Sequence, residues 1–318
     1  MSILIEKAGL HDTVQDAGRY GYGHWGVNTN GPMDPYAFAL ANALLGNELN
    51  APVLEVHFPA PIIRFQQPAL IALTGANFSA MLDGEPLLTN RAYQVAAGAV
   101  LRFAHKKQGE RCYLAVRHGW LVPQVMGSAA TNLKSGFGGY QGRALKAGDS
   151  LPVKLYLPER CNSKKMPWFV PDFVPENTTE LPVLKGPEWE WLQEDARYQL
   201  QRSRFEVSRK ADRTGIHWLG TVLQLKASCS MVSSPVIMGA TQLLPSGQLL
   251  TLMADHQTVG GYPRVLQLCK VALPILAQSS AGMSFGFQFI THAEAMGLYE
   301  QQQKHIRQIQ LMVRSFLT

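Results

Sequence analysis

Short apolar or alternating runs, punctuated by Gly, Pro, Asn, Asp or charged residues, constrain this chain more than any other feature. Ser2 to Ile5, Ala51 to Val56, Ile62 to Phe65, Ala69 to Leu73, Ala99 to Phe103 and Cys112 to Val116 form one series. Leu181 to Lys185, Val222 to Leu225, Leu249 to Met253, Val265 to Leu268 and Met283 to Ile290 form a second. Such runs are too short for helices that bury a face, and turn-forming residues at their ends are what strands joined by tight connections require. The pattern predicts a mainly β protein. Between the two series, Pro158, Pro167, Pro171 and Pro175 stand among Asn, Ser and Lys, a composition that resists helix and sheet alike. The expected organisation is therefore a first domain over 1–157, a Pro-rich linker over 158–180 and a second domain over 181–318. Each domain is near the common size of about 150 residues.

Two helices interrupt the β texture. Asp34 followed by Pro35 supplies a cap and a favoured first helical residue, Tyr36 to Leu45 is rich in Ala and Leu, and Gly46-Asn47 stops the helix. Near the C-terminus, Tyr299, Ile306, Ile309, Val313 and Phe316 recur at helical spacing among Gln, Lys and Arg. That pattern predicts an amphipathic helix docked on the second domain.

Composition excludes several classes of function. Apolar residues make up 46% and charged residues only 16% of 318 residues, which fits a packed protein rather than a disordered tail or coiled coil. The net charge of +6 is scattered, without the basic run that tracks a phosphate backbone, so no nucleic-acid partner is expected. Cys112, Cys161, Cys229 and Cys269 lack the paired spacing of zinc sites or redox dithiols and read as free thiols of a reducing compartment. Glu6 and Lys7 precede any apolar stretch of signal-peptide length, and no segment approaches the ~20 apolar residues of a membrane span. A cytoplasmic protein without a membrane partner is expected. No phosphate loop of the Walker type, no paired histidines at metal spacing and no biotin-attachment lysine between methionines occurs.

Two polar glycine loops carry the chemistry. Gln15 to Val27, closing at Gly31-Pro32-Met33-Asp34, holds Asp16, Arg19 and several glycines; Ala254-Asp255-His256-Gln257-Thr258-Val259-Gly260-Gly261-Tyr262-Pro263 has the same character. Side chains and open backbone N–H groups in such loops suit recognition of a small polar molecule. Together they predict one site for an amide-like substrate. Gly21-Tyr22-Gly23-His24-Trp25-Gly26 nearly matches a dinucleotide fingerprint, but Asn28 to Pro32 follows where a helix is required. Gly282-Met283-Ser284-Phe285-Gly286 matches a serine-hydrolase elbow, yet the next residues alternate like a strand, so Ser284 reads as a strand residue.

The loops and their neighbours resemble a known family. The resemblance is carried by Val14-Gln15-Asp16-Ala17-Gly18-Arg19, Gly31-Pro32-Met33-Asp34, Ala41-Asn42-Ala43-Leu44-Leu45-Gly46-Asn47 and Leu54-Glu55. It continues in Gly127-Ser128, Gly138-Gly139-Tyr140-Gln141-Gly142-Arg143 through Asp149, Asp212-Arg213-Thr214-Gly215, Asp255, Gly260-Gly261-Tyr262-Pro263 and Ala277-Gln278. In this order they are similar to the biotin-dependent carboxyltransferase family, also called the allophanate hydrolase subunit 2 family. The resemblance implies two cyclophilin-like β-barrel domains with a few short helices and a C-terminal helix. It implies a component of an ATP-dependent 5-oxoprolinase that opens the lactam of 5-oxo-L-proline to L-glutamate. The implied partners are a protein like allophanate hydrolase subunit 1 or the B component of 5-oxoprolinase, and a third 5-oxoprolinase component, with ATP bound with or by the partner. Two alternatives remain open: a carboxyltransferase moving carboxyl from biotin to urea or another amide, and a non-catalytic regulatory binding protein. The chain departs from the family at His217, where members often carry Arg, and at His118-Gly119, where they carry two glycines.

An amide needs its carbonyl oxygen polarised and its N–H accepted. Asp255 is the expected acceptor, and the N–H groups of Gly260 and Gly261 are expected to face a developing oxyanion. Tyr262 belongs to the same turn and is assigned to substrate contact. Arg19, Arg143 and Arg213 are candidates to clamp a carboxylate or phosphoryl group, and Gln15, Asn42 and Gln242 to set its orientation. A plainer reading stands beside each: Asp16 with Arg19 and Asp212 with Arg213 tie turns together, Asp34 caps a helix, Asp149 serves a turn, and His256 is a hydrogen-bonding bystander.

Overall fold

A computed structural model describes residues 2–154, 156, 165–171, 178–227 and 231–317. The chain forms two compact units: Met1–Arg19, Asn30–Phe173 and Gln303–Thr318 make the first, and Tyr20–Thr29 with Val174–Gln302 make the second. The fold is mainly β, with antiparallel sheets, a few short helices and a long C-terminal helix, His292–Leu317.

In the first unit, one six-stranded sheet runs in the order Ser150–Pro152, Ser2–Lys7, Ile62–Phe65, Val100–Phe103, Ala80–Leu82, Glu85–Pro86. The other runs Lys165–Phe169, Arg91–Val95, Ala69–Asn77, Gln108–Val116, Val53–His57, Thr13–Gln15. Ile3, Ile5, Ile63, Phe65 and Leu101 of the first sheet share a core with Leu54, Val56, Ile71, Leu73 and Leu114 of the second. The strand Ala69–Asn77 reads as continuously apolar because both its faces are covered: Ile71 and Leu73 point into that core, and Leu70 and Ala72 into another. The second core is roofed by the helix Pro35–Ala43. Asp34 Oδ1 accepts from the Ala37 N–H at 2.8 Å, and Gly46 adopts φ +61 just past the helix. Asn47 ties this end to the sheet, donating to Val116 O at 2.8 Å and accepting from the His118 N–H at 2.8 Å. His118 itself sits at φ +69, a left-handed conformation that glycine adopts without strain.

Two expectations change here. The C-terminal helix is expected on the second domain, but from Gln303 onward it belongs to the first unit. Ile306, Ile309 and Val313 join Tyr36, Leu44 and Trp168 in the core roofed by Pro35–Ala43. Helical spacing fixes which face is apolar and leaves open the surface it covers. Within the expected linker, Lys165–Phe169 is a strand at the edge of its sheet, pairing with Arg91–Val95. Met166 and Trp168 are buried, Trp168 donates to Leu44 O at 3.0 Å, and Pro167 is exposed, as the missing N–H of proline permits on an edge. Of that stretch, 158–164 and 172–177 lie outside the described residues, Cys161 among them, and so does Cys229. Cys112 and Cys269 are buried thiols.

The second unit closes a ring of pairings: Glu180–Lys185, Arg264–Leu268, Ala240–Leu243, Leu249–Leu252, Gly215–Leu219, Phe205–Val207 and Ser284–Phe289, which returns to Glu180–Lys185 in parallel. Among the described residues, the strands of the first unit form two six-stranded sheets and no closed ring. Trp218, Phe285, Phe287 and Phe205 pack together, the Trp218 ring 5.6 Å from Phe287 and 6.3 Å from Phe285. Val222 to Leu225, expected as a strand, forms only the bridge between Leu225 and Leu192, and Val222 is 60% exposed. Ser284 opens a ring strand, as its alternating neighbours imply. Among the described residues no helix is long and apolar enough to cross a membrane.

Asp12 is expected to make the stability of the first unit depend on pH. It is 1% exposed, accepts from the Gly9 N–H at 2.8 Å through Oδ2, and has no partner for Oδ1 among the described residues. Burial pushes its pKa from 3.8 up to about 7. Between these values the folded chain holds a proton that the unfolded chain has released, so stability falls as pH rises from about 4 to about 7. Asp12→Asn should remove that decline and raise stability above pH 7 by on the order of 4 kcal/mol. Urea denaturation of both proteins at pH 4.5 and pH 8 checks this; parallel stability curves would refute it.

Candidate functional site

The early glycine loop contributes its segment Tyr20–Thr29 to the second unit. Gly23–Trp25 makes one turn of 3-10 helix, closed when Gly26, at φ +76, donates to Gly23 O at 3.0 Å. The late loop is pinned at its start, where Met253 donates to Thr214 O at 2.9 Å and Asp255 to Arg213 O at 2.8 Å. The side chains repeat the link: Arg213 Nε and Nη2 reach the two Asp255 oxygens at 2.8 and 3.0 Å, a bidentate fork with side chains only 7% and 16% exposed. Asp212 caps the same turn, accepting from Thr214 N–H at 2.7 Å and Gly215 N–H at 3.1 Å.

Beyond this clamp, His256 is 5% exposed, with Nδ1 2.5 Å from Gln257 O. Since a carbonyl only accepts, Nδ1 carries the proton and Nε2 is left as an acceptor. Burial lowers the pKa of His256 below the usual histidine value, against smaller opposing effects of the Gln257 carbonyl and Asp255, so the ring is neutral at pH 7.

The two loops and Pro235-Val236 border a half-open cavity of about 540 Å³. Gly23, His24 and residues 26–29 line it from the early loop, and Pro235, Val236, His256, Thr258 and Val259 complete it. The polar side chains among them offer imidazole, hydroxyl and carboxamide groups, and no Lys, Arg, Asp or Glu lines the cavity among the described residues. Val27, Pro235, Val236 and Val259 make most of the surface apolar, which suits a small neutral group held by a few hydrogen bonds.

The residues singled out from sequence are placed differently. None of the ten lines the cavity. Asp255, Arg213, Gln242, Gly260, Gly261 and Tyr262 lie in the second unit; Gln15, Arg19, Asn42 and Arg143 lie in the first. Arg19 is 1% exposed and donates to Val125 O (2.8 Å), Ala130 O (3.0 Å), Ser128 O (3.4 Å) and Asn30 Oδ1 (3.3 Å). Arg143 forks onto Asp149 at 2.6 and 2.8 Å, which holds that carboxyl below the usual carboxylate range. Asn42 donates to Ala51 O at 2.8 Å and accepts from Asn47 at 3.1 Å. Gln15 and Gln242 are fully buried, and Oε1 of each has no partner among the described residues. His24, Asn28, Thr29 and Thr258, which do line the cavity, are not marked out by the sequence; their only signal there is membership of the same two loops.

Comparison with known proteins agrees with this architecture. The family model of the carboxyltransferase domain, subdomain A and B, matches residues 25–289. The chain is 34% identical to the C component of the 5-oxoprolinase of Haemophilus influenzae, covering 95% of each chain. It is 34% identical to the C component of the Escherichia coli 5-oxoprolinase, covering 96% of this chain and 97% of that one. Among solved structures, TTHA0988 superposes with a TM-score of 0.80 at 32% identity over 90% of this chain, which spans only 56% of that longer chain. The Kluyveromyces lactis urea amidolyase superposes with a TM-score of 0.89 at 25% identity, over 97% of this chain and 20% of that one. Matched from residue 25 to residue 289, and aligned with its relatives well beyond those limits, the chain belongs to the carboxyltransferase domain, subdomain A and B, family.

Proposed function

We propose that the chain is one component of an ATP-dependent 5-oxoprolinase, built on cyclophilin-like units, that opens the lactam of 5-oxo-L-proline to L-glutamate together with a partner of the B type and a third component. The observation that carries this reading is the cavity bordered by both glycine loops, whose described lining holds no Lys, Arg, Asp or Glu, in a chain that aligns nearly end to end with the C components of two 5-oxoprolinases. A lactam presents a carbonyl that needs a donor and an N–H that needs an acceptor. Thr29 and Thr258 hydroxyls can serve as either, and the neutral His256 ring offers Nε2.

Within this reading Asp255 and Arg213 are positioning residues: their fork holds the late loop so that His256, Thr258 and Val259 form one wall of the cavity. Gly260 and Gly261 follow directly on Val259; the ladder with Ser234 takes up the Gly260 N–H, and the Gly261 N–H is assigned to the developing oxyanion. Arg19 and Asn42 are assigned to the architecture of the first unit, where their polar groups meet backbone carbonyls. Among the described residues the cavity lining offers a triphosphate no Lys or Arg, so it does not fit ATP, which is assigned to the partner.

A second reading, transfer of carboxyl from biotin to urea or another amide, is favoured by the TM-score of 0.89 against the yeast urea amidolyase. Urea is also a neutral planar amide. Glutamate release from 5-oxoproline, measured with the chain, its B-type partner, the third component and ATP, separates the readings. ATP-dependent glutamate is expected. Consumption of urea with biotin carrier in its place would transfer the assignment to carboxyltransferase, and tight pairing without turnover would indicate a regulatory role.

A further inference from the structure

Several hydrogen-bonding side chains line the cavity, but among the described residues only one has its role fixed by the fold. Thr29 and Thr258 carry hydroxyls that turn to donate or to accept, and the Asn28 carboxamide offers both. The His24 ring lies 4.7 Å from the Trp25 ring, and no hydrogen bond among the described residues fixes its tautomer. All four adapt to a ligand of either hydrogen-bonding sense.

His256 does not. Its Nδ1 lies 2.5 Å from Gln257 O, and the other neutral tautomer would set two lone pairs face to face at that distance. The proton stays on Nδ1, so Nε2 presents a lone pair and has nothing to donate. Nε2 meets no partner among the described residues, yet it is not sealed from solvent as Oε1 of Gln15 and of Gln242 are. The residue is 5% exposed and lines the cavity, so the surface it keeps opens there. The neighbouring charges, Asp255 and Arg213, are paired with each other, which leaves this lone pair to a ligand.

We propose that His256 is the specificity-determining residue of the cavity, its Nε2 accepting the N–H of a cyclic amide and rejecting rings that carry a carbonyl without an N–H. The proposal rests on the reading of the chain as a binder of a small lactam and deepens it, because one fixed acceptor makes an otherwise adaptable lining demand a donor. A ring of the same shape with oxygen in place of the N–H sets a lone pair against Nε2, at a loss of about tenfold or more in affinity. Protonation reverses the selection. With a proton on Nε2 the acceptor becomes a donor, and both rings then bind through their carbonyl oxygens. Burial keeps the ring neutral to lower pH than an ordinary histidine, so that reversal falls below pH 6.5. The titratable groups around the ring are Asp255, held by Arg213, and His24, which shares the lining.

The test is an NMR titration of the full chain, its histidines labelled with 15N, against 2-pyrrolidinone and γ-butyrolactone, the same ring with oxygen replacing N–H. At pH 8 the lactam should bind at least tenfold more tightly, and it alone should shift the unprotonated Nε2 resonance of His256. As the pH falls the ratio should drop to one, with a midpoint that follows protonation of His256 read from the same resonance. His256→Phe, which keeps a flat ring and removes both nitrogens, should bind the two rings alike, and His256→Gln, which again presents an acceptor, should restore part of the preference. Equal affinities at pH 8, an Nε2 that carries the proton there, a preference that outlasts protonation of His256 or survives His256→Phe, or no binding of either ring would overturn the proposal. The unaltered chain supplies the ratio, the tautomer and the midpoint even if a variant fails to fold. A lactam preference that tracks His256, with no ATP-dependent glutamate release from the reconstituted complex, would sink the oxoprolinase reading and leave this selection standing.

Discussion

Arg19→Met should destabilise the first unit by about 3–5 kcal/mol, enough to shift its urea midpoint by more than 1 M at the usual slope of about 1–3 kcal/mol per M. The guanidinium is 1% exposed and serves three backbone carbonyls, Val125, Ser128 and Ala130, together with the Asn30 carboxamide. It also lies 4.7 Å over the Phe137 ring. Methionine fills comparable volume but donates no hydrogen bond, so these acceptors lose a donor in a place water does not reach. The surroundings leave little room for repair: a Cβ on Gly138, at φ +74, would stand 2.1 Å from Ala130 O and 3.0 Å from Arg19 Nη2. The loop 125–138 is therefore folded around this one side chain. Asp16 fixes the same segment from the other side, accepting from Ser128 Oγ at 2.6 Å and Ala129 N–H at 2.5 Å. Lysine at position 19 should recover only part of the loss, since one ammonium cannot reproduce the planar fork. An Arg19→Met protein as stable as the parent but unable to turn over substrate would return Arg19 to the role of ligand clamp.

Asp255→Asn is the second large effect. It removes one half of a bidentate pair whose arginine is 7% exposed, leaving the guanidinium without that counter-charge, at a cost of about 2–4 kcal/mol. If Asp255 positions the late loop, Arg213→Lys should share the phenotype, because lysine cannot span both oxygens. Both variants should raise KM for 5-oxoproline in the reconstituted complex by about tenfold or more while kcat changes less, since the displaced residues His256, Thr258 and Val259 form a wall rather than a reacting group. A kcat collapse in Asp255→Asn, with stability and KM unchanged and Arg213→Lys silent, would instead make Asp255 the acceptor that touches the amide. Thermal unfolding and steady-state kinetics on the same preparations distinguish the two.

Local chemistry is legible where a residue's neighbours in sequence decide its state. The helix Pro35–Ala43 begins at the capping aspartate and ends just before the glycine that stop signals indicate, because capping is settled within a turn of chain. Strands such as Ile62–Phe65 and Leu249–Leu252 match their apolar runs closely. Ala240–Leu243 is hidden from a sequence reading for an opposite reason. Its Thr241 and Gln242 are polar yet fully buried, Thr241 Oγ1 lying 2.7 Å from Thr251 Oγ1, which accepts from Trp218 Nε1 at 2.8 Å. A polar residue turned inward looks like a loop residue until its partners from other strands are known. Val222 to Leu225 fails in the converse way, an apolar run with no strand to pair beside it beyond one bridge.

The sequence by itself determined a mainly β chain with a capped early helix, an amphipathic C-terminal helix, and two polar glycine loops that belong to one family of proteins. Those properties follow from backbone preference and short-range periodicity, which act over a few residues. Only the tertiary structure decided which loop residues face a shared cavity, that Arg213 grips Asp255 from 42 positions away, and that Arg19 holds backbone carbonyls more than 100 positions distant. Direction and distance between remote side chains depend on strand register and chain crossing, and a shift of one residue in register turns a side chain from one face of the sheet to the other. The same dependence places Ser234 opposite Gly260 and buries Gln242 against it, a pairing that no spacing in the chain announces.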